Sequence, residues 1–208
     1  TESCTLQGNA DNKIINIRPG ADDIYILLDN VSFSNEAQIV VYNTETTDKT
    51  GKIFTPNVNF IINGKLESYN KLSIMNSALL GGTPTVKHTD RYGIYFYGLN
   101  ENPTYGWKSS SIKLTNDSTI VGVLRTPYTK FEAHVRGRYN IKYIGEDGRE
   151  VSMKPVIIGS AIVDSADTTN EFGIAYTIGN KATGGDGAGS AFFSATRDKY
   201  QVLYYSAS

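Results

Sequence analysis

Apolar and polar positions along this chain come in short bursts. Alternating or continuous runs of β-branched and aromatic residues occupy 14–17, 23–28, 31–33, 38–42, 59–62 and 71–75. They continue at 93–97, 111–114, 119–124, 130–135, 139–144, 156–163, 173–178 and 200–205. Each run is bounded by Gly, Pro, Asn or Asp, the residues that end strands, so the pattern predicts about fourteen strands of ordinary length. Nowhere does a 3.6-residue period persist. The places where a helix fits are brief, near residues 76–80 and 165–170. In the run 93–97 the alternation puts Tyr95 and Tyr97 on one face of a strand and Ile94 and Phe96 on the other.

The runs are arranged in repeats. A Gly-x-aliphatic-x-Thr-Pro-x-x-x-Phe frame at Gly51, Ile53, Thr55, Pro56 and Phe60 returns at Gly122, Leu124, Thr126, Pro127 and Phe131. A second unit, Asn-charge-x-polar-Ile, occurs as Asn35 to Ile39, Asn70 to Ile74 and Asn116 to Ile120. Repeats of this kind signal stacked strand-turn coils, because one coil cannot bury its own apolar face. In the second unit Asn tolerates left-handed backbone angles and turns the chain, and Ile re-enters the core. In the first, Pro ends a strand and the Phe four residues on plants a ring inside. The fold class expected is all-β, a β-solenoid or β-helix-like stack of short strands.

Residues 1–165 read as the repeat domain. A Tyr-rich insertion interrupts it near 100–110, and the stretch 139–151, with its Gly145-Glu146-Asp147-Gly148 turn, reads as a hairpin grown out of a coil. Residues 166–208 read as a capping segment, with a Gly-rich linker at 184–190 and a closing strand at 200–205 that covers an exposed end of the core.

The chain has 208 residues, long enough for one core without covalent staples. Its 20 basic and 21 acidic residues are scattered singly, which argues against a nucleic-acid face or a polybasic membrane surface. Fourteen tyrosines, 20 glycines and abundant Ser, Thr and Asn give the composition of a secreted β protein. The one cysteine, Cys4, excludes an internal disulfide and reads as an incidental thiol or half of an external bridge. No apolar run is long enough to cross a membrane as a helix, and Thr1 reads as a processed end.

Reactive constellations are sparse. Glycan-cleaving β-helices need two or three carboxylates in one groove. The close acidic groups here, Asp22-Asp23, Glu146-Asp147 and Asp164 with Asp167, include two that read as solvated turn residues. His88 and His134 show no metal-ligand spacing, and the lone Asp186 in its Gly-rich loop is too little for calcium. No phosphate-binding loop or nucleophile elbow is present. The expectation is therefore no catalytic residue, no metal and no cofactor. What remains is aromatic: Tyr92, Tyr95, Tyr97, Tyr105 and Trp107 gather around the insertion, where exposed rings can stack on a sugar or anchor a protein.

The order of residues 23–35, 93–98, 112–127 and 155–163 resembles the β-helical C-terminal region of accessory or minor pilins of bacterial type IV pilus assembly. The likeness spans roughly residues 20–163, and the end at 200–206 is also similar. Ser34 and Tyr69 stand where that family commonly has Gly before the Asn. The resemblance implies an extracellular, non-enzymatic ectodomain on a pilus or a secretion pseudopilus, acting in assembly priming or adhesion. Its implied partners are other pilin subunits and a host or surface ligand, protein or glycan, with the membrane reached only through a removed N-terminal helix. Two other readings stand beside it. One is a carbohydrate-binding or carbohydrate-cleaving β-helix; the other is a filament subunit that donates the strand region 5–17 to a neighbour.

Overall fold

A computed structural model describes residues 2–9, 14–43, 45–77, 93–144, 150–168, 172–177 and 190–194. Among these residues it has sixteen strands, most of them paired in parallel in one sheet of twelve. The chain winds, and each turn contributes to three faces. The first face stacks β1 (Glu2–Asn9), β3 (Ile24–Phe33), β7 (Val58–Ser68), β9 (Ile94–Gly98), β11 (Thr119–Ala133) and β14 (Ile157–Thr168). The second stacks the C-terminal parts of β3, β7, β11 and β14 with β10 (Ser111–Leu114). The third stacks β2 (Ile14–Ile17), β4 (Ala37–Val41), β8 (Leu72–Asn76), the first residues of β11 and β14, and β15 (Gly173–Thr177). The stacked all-β architecture expected from the repeats is the one observed.

The Asn-charge-x-polar-Ile unit marks the third face. Ile39, Ile74 and Ile120 are in register on successive turns, and the column extends to Ile15, Ile157 and Ile174. Ile39, Ile74, Ile120 and Ile157 are fully buried, each contributing about 1.5–3 kcal/mol by removal from water. Of the three turn asparagines only Asn116 is left-handed, with φ 52°. Asn70 turns the chain differently, accepting the Lys71 N–H on its own side chain at 2.9 Å. Ser118 ties two turns together here, accepting from Leu72 N at 3.0 Å.

The Gly-x-aliphatic-x-Thr-Pro frame behaves otherwise. Both phenylalanines are buried, as expected, but they do not stack: Phe60 aligns with Ile26 and Phe96 on the first face, while Phe131 aligns with Ile112 and Ala166 on the second. Thr55-Pro56 leads into β7, whereas Thr126-Pro127 lies at a register shift inside β11. A Thr-Pro corner serves any bend that needs φ fixed and a donor removed, so the motif recurs without marking the same place in the coil.

The core runs the length of the stack as columns. Phe60 and Phe96 lie face to face with centroids 5.0 Å apart. Toward the end of the winding the inward residues shrink to Ala161 and Ala166, and Phe172 supplies bulk by meeting Phe131 edge-on at 5.7 Å. Buried polar groups are paired with one another: Asn76 Nδ2 donates to Asn43 Oδ1 at 2.5 Å and Asn43 Nδ2 to the Pro56 carbonyl at 3.1 Å. No buried side-chain nitrogen or oxygen among the described residues lacks a partner. Cys4 is in register with Ile26, in line with the column of Phe60 and Phe96.

Departures from the coil occur between faces. β5 (Thr46–Thr47) and β6 (Ile53–Phe54) form a small antiparallel hairpin, and β12 (Ile141–Ile144) pairs antiparallel with β13 (Glu150–Met153). That second pair is the hairpin expected at 139–151, its turn lying outside the described residues. Its foot covers the outer side of the third face, where Val40, Met75, Val121 and Ile158 are buried away from the central core. Tyr139 Oη reaches Met75 Sδ at 3.3 Å, Arg138 Nη1 reaches Ser73 Oγ at 3.1 Å, and Arg138 also pairs with Glu36.

The winding passes residue 165 without a break. Residues 165–168, expected to begin a short helix, belong to β14, because β11 offers a complete parallel edge there. β15 carries the third face one turn further, and β16 (Ser190–Ser194) closes on it in antiparallel fashion. Most of the linker 184–190, the closing strand 200–205 and residues 78–80 of the other expected helix lie outside the described residues; Asn76 ends β8. β1 and β2 form the first turn of their own chain, so residues 5–9 and 14–17 of the region read as donated to a neighbour pair internally here.

Candidate functional site

Two outward surfaces carry the aromatic groups. On the first face Ile94 and Phe96 are buried and Tyr95 and Tyr97 point outward, half-buried, as the alternation requires. Tyr95 stands between Asn59 and Val123, and Tyr97 between Ile61 and Arg125, on the neighbouring turns. The Arg125 guanidinium lies 4.9 Å from the Tyr95 ring centre, a cation–π contact that orders both side chains.

Tyr105 and Trp107 sit on the insertion. Asn102 starts a 3-10 turn (Pro103–Tyr105), its side chain accepting from Thr104 N at 3.1 Å, and left-handed Gly106 ends it. Asn102 and Trp107 then close the loop through their backbones, with Trp107 N donating to the Asn102 carbonyl at 3.0 Å. The insertion is fastened to the coil at its foot. Lys108 N donates to Asn63 Oδ1 at 2.7 Å, Lys108 Nζ pairs with Asp29 at 2.9 Å, and Ser110 shares a 2.6 Å hydroxyl bond with Thr129. The two rings lie 5.1 Å apart and remain 68% and 42% exposed. Rings of this size usually find cover. Of the five aromatics singled out in the sequence, Tyr105 and Trp107 are in contact and Tyr95 and Tyr97 share a face. No ring contact among the described residues joins the two pairs, and Tyr92 lies outside those residues.

A groove that sequence reasoning missed opens beside Tyr25, with a volume of about 590 Å³. It is lined by Ala21, Asp22, Asp23 and Tyr25 at the entry to β3 and by Asp48, Lys52 and Phe54 of the β5–β6 hairpin. Asp48 builds the hairpin turn by accepting from Thr50 Oγ1 at 2.6 Å, Thr50 N at 2.8 Å and Lys52 N at 3.0 Å. These bonds, the Thr50 hydroxyl first, hold its carboxyl below the ordinary 3.8. Asp23 accepts from Asn57 N at 2.7 Å and Asn57 Nδ2 at 3.0 Å. Three acids therefore line one groove, although Asp22-Asp23 reads in sequence as a solvated turn. Glycoside cleavage needs a carboxyl kept protonated for donation. Asp48 is driven the other way. The signal available in sequence was the Asp48-Lys49-Thr50-Gly51-Lys52 turn, since an Asp side chain bonding two residues on is a turn-former; nothing in sequence places that turn opposite Asp22.

The second face carries an ionic ladder. Glu67, Lys113, Glu132 and Asp167 follow one another on adjacent turns. Lys113 Nζ is 2.7 Å from Glu132, and His134 Nε2 lies 3.3 Å from Glu132 and 3.5 Å from Asp167. Glu67 is pushed up by burial, but donation from Tyr69 at 2.7 Å and Lys65 at 2.9 Å outweighs this and leaves its carboxyl below the ordinary 4.5. A depressed carboxylate pKa stabilises the fold above the unfolded value, and the contribution disappears as pH falls through the folded value. Glu67→Gln is therefore expected to cost up to about 1 kcal/mol at pH 7 and to make denaturant midpoints less sensitive to pH below about 4.5. Equal acid sensitivity in the two proteins, measured by urea titration from pH 6 to pH 3, would refute the assignment. His88 lies outside the described residues, and these residues hold no group of three His, Cys, Asp or Glu arranged for a metal. No helix among them is long and apolar enough to span a membrane.

No family model, curated protein or solved structure matches this chain.

Proposed function

We propose that the chain is a structural recognition module that acts through the shape of its wound stack, in the specific form of an extracellular minor-pilin ectodomain engaged in pilus assembly or adhesion. The observation that carries this reading is the Tyr105–Trp107 pair. A capped, doubly anchored loop holds two large rings in solvent at 5.1 Å from each other, and an ordered aromatic surface loses little entropy when a partner covers it. The resemblance of residues 20–163 to the β-helical region of minor pilins supplies the partner class. Tyr95 and Tyr97 extend the candidate surface over the neighbouring strand.

The test is capture of the other pilins of the same organism by the purified domain. Binding is expected, and Trp107→Ala is expected to weaken it by roughly tenfold to thirtyfold, the loss of an anchor worth about 1.4–2 kcal/mol. Failure to capture any pilin, or capture indifferent to both Trp107→Ala and Tyr105→Ala, would remove the proposal.

A further inference from the structure

We infer that the groove beside Tyr25 binds a saccharide, and that it selects neutral or amine-bearing sugars over acidic ones. This does not depend on the pilin reading. The volume, about 590 Å³, lies within the range of about 300–1,000 Å³ usual for small-ligand sites. Tyr25 points outward from β3 and is 39% exposed, and the half-buried Phe54 lines the same groove. A pyranose has an apolar C–H side and a rim of hydroxyls. It therefore needs an aromatic surface with fixed polar groups around it, and the groove provides both.

Its walls are set before any ligand arrives. The two Asp23–Asn57 bonds fix the entry to β3, and the three bonds to Asp48 fix the hairpin turn. Preorganisation of this kind lowers the entropy lost on binding. Asp22 is left as an acceptor, Lys52 as a cationic donor and Thr55 as a hydroxyl of either kind. Charge then decides the class of sugar. Three acidic residues and one lysine line the groove, so uronates, sialylated glycans and phosphosugars meet repulsion, while hexoses do not and hexosamines are attracted.

The experiment is titration of the full chain, followed by NMR or calorimetry, with neutral hexose oligomers, glucosamine oligomers, oligogalacturonate and a short polylysine. Binding of the first or second at millimolar concentration or below is expected, at least tenfold tighter than oligogalacturonate. Tyr25→Ala and Lys52→Ala should each weaken it tenfold or more with the thermal midpoint unchanged, and Trp107→Ala should leave it intact. The inference is overturned if neither neutral nor amino sugars bind, or if oligogalacturonate binds as well. It is equally overturned if polylysine, which would identify a basic-peptide groove, binds more tightly than both, or if Tyr25→Ala has no effect. Pilin capture is scored independently, so either result can fail alone.

Discussion

Phe96→Ala is expected to lower the unfolding free energy by about 3–5 kcal/mol, the usual cost of emptying an aromatic site in a packed core. Phe96 is fully buried, stacked on Phe60 at 5.0 Å and aligned with Leu124 on the next turn. A Cβ on Gly122 would come within 3.1 Å of its Cε2, so the ring fills space close to the backbone of the following turn. Relaxation into the cavity would have to move two turns together, which places the cost toward the upper end. Tyr95→Ala, one position away but outward, should cost far less. Chemical denaturation of the two variants measures the contrast. Similar losses for both would mean that β9 does not present its faces as described.

Gly159→Ala is expected to cost about 3 kcal/mol or more, a large effect for one methyl group. Gly159 has φ 147° and Gly122, its register partner, φ 141°. Both lie in a region that side chains rarely enter. A Cβ at 159 would stand 1.8 Å from the Gly122 carbonyl oxygen, against backbone that cannot rotate aside. The two glycines let the chain turn from the third face to the first while consecutive turns stay in contact. The substitution should therefore weaken the β11–β14 pairing, seen as faster amide exchange across Ile157–Thr168. Ser160→Ala, at the next and exposed position, serves as the neutral control, within about 0.5 kcal/mol. Unchanged exchange in Gly159→Ala would contradict the stacked glycine corner.

The legible part of the fold followed from local chemistry. Ile39, Ile74 and Ile120 could be aligned from their shared surroundings because each turn must bury its strand against the next, so equivalent positions keep equivalent residues. The alternation around Tyr95 and Tyr97 was readable for the same reason, since a strand's two faces follow from the backbone alone. The Thr-Pro frame misled in register because its residues answer to a bend, and bends occur at several corners. Residues 165–168 fell to β14 because a free parallel edge on β11 outweighs a weak helical preference.

The functional surfaces divide along the same line. Aromatic richness near the insertion was visible in sequence. Whether Tyr105 and Trp107 would be exposed together depended on Lys108 reaching Asn63 and Asp29, 45 and 79 positions away. The groove depended on a hairpin folding over residues 21–25, and no run of residues announces that. By itself the sequence determined a stack of extended segments with isoleucine on its inner side, because burial and strand geometry act between each residue and its immediate repeat. Only the tertiary structure decided which turn each segment joins and what the excursions bring together, because those contacts are fixed by register between segments distant in sequence.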